Sequence, residues 1–207
     1  MSKLTTAVLI LFASIFFIGC QKEVSENPPA TAATRGLAGN YKLISVELES
    51  VVSMETKDGD DNEKTVSLTH YISKDNKGTV KFDATTIATN NIAYTIDATM
   101  KGYIYINGIL QDSVTSPLQL STPPVSSVVP YEVIGTDSIY FSSGSFFVDA
   151  SASSTPTASK PSGGKFKLEG DKLYITSFIN ESGIKDVQGY QFNQSTQARS
   201  TTILQKQ

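Results

Sequence analysis

Asp58-Gly59-Asp60-Asp61-Asn62-Glu63 is the densest cluster of oxygen ligands in the chain. Asp58, Asp60 and Asn62 have the i, i+2, i+4 spacing that opens a twelve-residue calcium loop. Such a loop needs glycine at its sixth place, for a sharp turn, and a bidentate glutamate at its twelfth. Glu63 and Thr69 stand there instead. The cluster reads as a solvated acidic turn between two strands, with weak calcium binding as the alternative, and no metal is assigned to it. Nucleophilic chemistry has no better footing. Serines abound, but none lies in Gly-x-Ser-x-Gly, and Ser143-Gly144-Ser145 lacks the flanking glycines. His70 is the only histidine, which rules out multi-histidine zinc sites. In Leu68-Thr69-His70-Tyr71-Ile72 it reads as a structural strand residue. Gly-rich phosphate loops are absent, and nothing nominates a glycosidase-type carboxylate pair, whose members meet only in the fold. No catalytic residue and no cofactor are assigned, and the chain is expected not to be an enzyme.

Cys20 is the only cysteine, so a disulfide within the chain is impossible. A catalytic thiol needs a histidine as base, and His70 lies fifty positions away. The surroundings of Cys20 are more telling. Lys3 supplies a positive start, Ala7 to Phe17 an almost unbroken apolar run, and Phe17-Ile18-Gly19-Cys20 closes it. A charged start, an apolar core of about 7–15 residues and small residues at a cleavage point make a secretory signal peptide. A spanning helix needs about 20 apolar residues. A cysteine directly after such a run resembles the lipobox of bacterial lipoproteins, in which this thiol receives a diacylglycerol and becomes the mature N-terminus. Phe17 stands where Leu, Val or Ile is usual. The resemblance implies a signal peptide over 1–19, lipidation of Cys20 and a membrane attachment through lipid alone. The alternative is an ordinary signal peptide with an incidental cysteine.

Gln21 to Arg35 shows no apolar periodicity and carries Pro28-Pro29, so 20–35 reads as an extended tether. Its opening, Gln21-Lys22-Glu23-Val24-Ser25-Glu26, resembles the acidic signal that sends Bacteroidota lipoproteins to the outer face of the outer membrane. Removing Lys3 from seventeen basic residues leaves 16 against 20 acidic ones, a net charge of −4 from Cys20 onward. That balance argues against nucleic acid, which requires clustered Lys and Arg.

From Gly36 the chain is rich in Thr, Ser, Val, Ile and Tyr, which favours strands. Short apolar-rich runs recur between turn signals. Glu169-Gly170-Asp171 reverses the chain between Lys165–Leu168 and Leu173–Ile175, with glycine supplying the positive φ of a tight hairpin. Gly135-Thr136-Asp137 and Asn107-Gly108 read the same way, and Asp75-Asn76-Lys77-Gly78 is expected to turn the chain between Tyr71-Ile72 and Val80–Phe82. Ser151–Gly164 reads as a surface loop. Thr115–Pro130, with its four prolines, is expected to be an irregular connection across one end of the fold. Consecutive antiparallel hairpins make a meander, which closes into a barrel or folds over as a sandwich because an open sheet exposes its edges.

Leu37-Ala38-Gly39-Asn40-Tyr41-Lys42-Leu43 opens the domain, which is expected over 36–207. It resembles the start of bacterial lipocalin-like domains, where a Gly-x-Trp or Gly-x-Tyr step begins the first strand; Tyr41 replaces the commoner tryptophan. Gly164–Phe178 and Ser200–Lys206 are similar to the closing strands of such domains. The resemblance implies an all-β antiparallel meander barrel of about eight or more strands with little helix. It also implies that Tyr41 plugs one end, and that the barrel is wide enough to hold one small apolar ligand. Tyr103-Ile104-Tyr105-Ile106 is apolar on both faces, as are Ile139-Tyr140-Phe141 and Leu173-Tyr174-Ile175. Tyr103, Tyr105, Tyr140 and Tyr174 therefore either cap the pleated surface with their hydroxyls in water, line a ligand, or meet a partner. Two functions stay open: a lipid-anchored monomer of the outer membrane holding an apolar or amphipathic small molecule, or a filled barrel displaying its surface to an envelope protein. A continuous apolar cavity of roughly 300 Å³ or more supports the first, and a packed interior the second.

Overall fold

The computed structural model describes residues 36–58, 60–142, 161–187 and 190–207. The expected signal peptide, Cys20, the tether, Ser143–Ser145 and most of the Ser151–Gly164 loop lie outside them. A helical turn at Gly36–Leu37 leads into β1 (Gly39–Asp58). There follow β2 (Asp61–Ile72), β3 (Lys74–Phe82), β4 (Thr86–Ile106), β5 (Ile109–Ser121), β6 (Val125–Pro130) and β7 (Glu132–Ile134). The chain ends with β8 (Ser138–Phe141), β9 (Ser162–Glu169), β10 (Lys172–Val187) and β11 (Tyr190–Lys206).

Eleven strands form eight ribbons, because some lie end to end. β2 and β3 together line β1 on one side and β4 on the other. β5 and β6 both run along β4, while β7, one residue beyond β6, pairs β8. β8, β9, β10 and β11 then pair in order, and β11 returns to β1 with Tyr41 opposite Lys206 and Glu47 opposite Thr201. Every ribbon at this end has a neighbour on both sides, so the meander closes into a barrel and the sandwich is set aside. The closing partners are the strands expected from the sequence, the Tyr41–Val46 and Thr201–Gln205 segments.

The inner face of this ring is the core. Strand side chains alternate between faces, and the inward set is apolar on each ribbon: Tyr41 and Leu43, Val80 and Phe82, Ile87, Tyr94 and Ile96, Val129 and Tyr131, Ile139 and Phe141, Phe166, Leu173 and Ile175, Leu204. The tight turns sit where positive φ is available, at Gly135, Gly170 and the Asn107-Gly108 pair (φ 50° and 79°).

Two expectations are corrected. Asp75–Gly78 does not reverse the chain; it is an irregular, bulged stretch inside β3, which runs collinear with β2 beyond Ser73. Ser73 holds the bend, accepting from the Val46 amide at 2.7 Å and donating to Asn76 Oδ1 at 2.6 Å. Asp75 (φ 51°) and Gly78 (φ 100°) absorb the extra residues, and a Cβ on Gly78 would fall 2.6 Å from the Asn91 carbonyl oxygen. Nor does the proline-rich stretch cross an end of the barrel. It is strand β5, a break at 122–124, and β6, all alongside β4. Pro117 is tolerated because β5 is an edge, where a missing N–H costs no ladder bond.

Beyond the barrel, six strands continue in the order β5-β4-β2-β1-β11-β10. The described residues hold no buried hydrophobic side chain on β1 after Val46, on β2 before Tyr71, on β10 after Ile175, or anywhere on β5. Among the described residues this extension covers no buried apolar layer on either face. From Ser177 to Val187 it runs roughly 30 Å at about 3.3 Å per residue. Strand propensity and ladder hydrogen bonds sustain it; burial does not.

Candidate functional site

The barrel interior is filled at its base by three rings. Tyr41 and Phe82 meet edge to face with centroids 5.3 Å apart, and Phe82 meets Tyr131 in the same way at 5.8 Å. Each buried hydroxyl has a partner: Tyr41 donates to the Leu37 carbonyl at 2.9 Å and Tyr131 to the Asp83 carbonyl at 2.7 Å. Burial raises the Tyr41 hydroxyl above the usual tyrosine value. Burial first, then the nearby Asp83 charge, pushes Tyr131 up to about 12. The plug expected of Tyr41 is therefore in place, as one of a trio.

Two depressions lie outside the barrel. One, of about 370 Å³, is walled by Glu47, Phe166, Tyr174, Arg199, Ile203 and their neighbours on the outer face of β1, β9, β10 and β11. Its cations are already engaged. Lys165 Nζ donates to both carboxylate oxygens of Asp137, at 2.8 and 2.9 Å, and Lys167 pairs with Glu169. The Lys165 hydrogen bond holds the Asp137 carboxyl below its ordinary value, and the Glu169 hydrogen bond raises Lys167. Arg199 lies 5.9 Å over the Phe178 ring. The second depression, about 300 Å³, is near the tip of the extension between Glu55, Asn62, Ile184 and Gln191.

Register places the candidate tyrosines. Ile96 and Ala98 face the core side of β4, so Ile104 and Ile106 follow them, while Tyr103 and Tyr105 project from the opposite, outer face. Tyr140 lies between buried Ile139 and Phe141, and Tyr174 between buried Leu173 and Ile175. All four point away from the barrel interior. They do not converge: Tyr103 and Tyr105 belong to the extension, Tyr140 and Tyr174 to the barrel wall, and Tyr174 borders the first depression.

The acidic turn is tied into the extension. Asn107 Nδ2 donates to Asp61 Oδ1 at 2.7 Å, and Asn107 Oδ1 accepts from the Asn62 amide at 2.9 Å. Asn62 Nδ2 in turn donates to Glu55 Oε1 at 2.5 Å. The β1–β2 tip is thus clipped to the β4–β5 tip. Among the described residues no three His, Cys, Asp or Glu side chains gather as metal ligands. His70 is exposed on the outer face, with Glu49 and Thr99 as its cross-strand neighbours.

No family model matches the chain, and neither a curated protein nor a solved structure matches it. What sequence reading missed is the extension and its exposed apolar residues, among them Phe178 (63 % exposed) and Ile184 (67 %). Phe178-Ile179, apolar on both sides of the strand just after the core residue Ile175, was its available signal.

Proposed function

We propose that this is a lipid-anchored protein of the bacterial cell envelope, of the Bacteroidota outer-membrane type, whose barrel is a mount for a protein-contact surface. The observation that carries this reading is the division of the sheet. Its closed end is packed with Tyr41, Phe82, Tyr131 and aliphatic side chains. Its open end runs six strands into solvent with apolar side chains exposed. Monomeric proteins seldom leave apolar surface and strand edges uncovered in this way unless something docks there. Three rings fill the barrel at its base and the two depressions described lie on its outside, which supports contact through the surface over an enclosed small molecule. The N-terminal pattern around Cys20 supports the anchor, with the barrel base at the end of the chain nearest the tether.

One experiment tests both halves. Cells expressing the chain are fed labelled palmitate, and the purified protein is titrated with an apolar fluorescent probe. Wild type should take up label and partition with membranes, Cys20→Ser should do neither, and the probe should show no saturable site. Label on Cys20→Ser would end the lipid anchor. Saturable one-to-one probe binding that raises the melting temperature would replace the contact reading with a ligand-holding barrel.

A further inference from the structure

Asn107-Gly108 is the only Asn-Gly step in the chain. It forms the two-residue turn between β4 and β5, closed by the Ile106–Ile109 pair, with φ 50° and 79°. Two successive positive φ values suit a hairpin of this kind. The step also brings together the parts of a reaction. A side-chain amide that precedes glycine is open to attack by the glycine's own backbone nitrogen, because no Cβ shields it. Both residues are exposed. A Cβ at Gly108 would meet nothing within 4 Å, so the approach to its nitrogen is clear. Asn91, in β4, is the contrast. It is exposed at a similar φ of 51°, but Ile92 follows it with a branched side chain.

In the folded chain the Asn107 side chain is held back from that reaction. Its Oδ1 accepts from the Asn62 amide at 2.9 Å, and its Nδ2 donates to Asp61 Oδ1 at 2.7 Å. The Asn107 backbone amide also donates to the Asn62 carbonyl at 2.9 Å. To reach the Gly108 nitrogen, Asn107 Cγ must swing out of both side-chain bonds. Those same bonds are the clip between the β1–β2 tip and the β4–β5 tip.

We propose that Asn107 is a deamidation site whose modification releases this clip and prevents it from re-forming. The Gly108 nitrogen bonds to Asn107 Cγ, the Cγ–Nδ2 bond breaks, and ammonia leaves with the proton of the Gly108 amide. Water then opens the succinimide ring at either carbonyl. One opening restores the backbone with an aspartate side chain. The other routes the backbone through the side-chain carbons as isoaspartate. Nothing is oxidised or reduced, and water is the only co-reactant. Aspartate has no N–H to offer Asp61, and its carboxylate would stand against the Asp61 carboxylate, where like charges repel. Isoaspartate adds a methylene to the backbone of a turn fitted to two residues. Either product leaves the tips unclipped, and the loss of ammonia makes the change one-way. Opening of the clip sets the rate, and its closure protects the residue. The site rests on the tip geometry and does not depend on the extension being a contact surface.

The test incubates the purified full chain in mildly alkaline buffer and follows Asn107 and Asn91 by peptide mass spectrometry, with aspartate and isoaspartate separated by chromatography. Asn107 should convert well ahead of Asn91. Asp61→Ala removes one bond of the clip and should speed the conversion about twofold to tenfold, the range that one net hydrogen bond supports. Gly108→Ala keeps the clip but shields the nitrogen, and should all but stop it. Asn107→Asp reproduces one product, so hydrogen exchange at the Asn62 amide should quicken by a similar factor, about twofold to tenfold. Adding Asp61→Asn supplies the missing donor and should slow that exchange again. Conversion at Asn107 no faster than at Asn91, an Asp61→Ala rate equal to wild type, or undiminished conversion in Gly108→Ala would each overturn the proposal. So would unchanged exchange in Asn107→Asp, or no recovery when Asp61→Asn is added.

Discussion

Replacing Tyr41 measures whether the aromatic trio closes the barrel. Its side chain is fully buried, its hydroxyl donates to Leu37 at 2.9 Å, and its ring meets Phe82 edge to face at 5.3 Å. Removing a buried aromatic ring costs about 3–5 kcal/mol through lost transfer energy and the cavity left behind. The lost edge-to-face pair lies at the upper end of that range, being worth about 0.5–1.5 kcal/mol. In a domain of this size each kcal/mol lowers the melting temperature by about 2–4 °C. Tyr41→Ala should therefore melt roughly 6–20 °C below wild type. Tyr41→Phe keeps the ring but leaves the Leu37 carbonyl unpaired in the core, which costs about 1–3 kcal/mol. Tyr140→Ala, a change on the outer face of β8, is the control and should fall well short of both. The assay is thermal unfolding of the purified chain by far-UV circular dichroism. Tyr41→Ala melting within 2 °C of wild type, a band set by that same scale, would refute the plug, as would a Tyr140→Ala loss of equal size.

Two further outcomes follow from the same ring. Deleting Ser200–Gln207 removes the β11 segment that pairs with β1 on one side and β10 on the other, so the chain should lose its cooperative melting transition; a truncated protein that keeps wild-type ellipticity and melting temperature would show that the ring is not closed there. The Tyr131 hydroxyl, pushed up to about 12, should make stability alkali-sensitive: below pH 10 both folded and unfolded forms keep the proton, and between pH 10 and about 12 the unfolded form releases it first, so stability falls as pH rises. Melting temperature followed across that window should drop more steeply for wild type than for Tyr131→Phe, and equal slopes would contradict the assignment.

How much of this was legible depends on which rule each residue obeys. Tyr41-Lys42-Leu43 and Leu173-Tyr174-Ile175 alternate buried with outward positions, and a period of two is readable from one strand alone. Asn107-Gly108 and Gly170 declare their turns because few residues adopt positive φ. The same rule misleads at Asp75–Gly78, because a bulge and a turn draw on the same residues. Only the neighbours separate them: Ser73 Oγ bonded to the Val46 amide keeps the ribbon running straight along β1. The face of Tyr103 and Tyr105 was undecidable locally, since Ile104 and Ile106 are equally apolar; it is settled by register with β2, counted outward from the buried Ile96.

The extension was hidden for a deeper reason. Thr, Ser, Val and Tyr suit a strand whether it covers a core or stands in water, so propensity reports the ladder and says nothing of what lies beneath it. Where the core ends is set by how many ribbons surround a given height. At the level of Val46 and Ile175 there are eight; past the Ser177–Gly164 pair, no described residue pairs with the outer edge of β10. The residues beyond that level keep strand-forming character but lose their inward partners, which is why Val114 and Ile179 remain exposed. Apolar side chains kept on a sheet that no longer encloses anything do nothing for the barrel's stability. Contact with another chain is the role proposed for them.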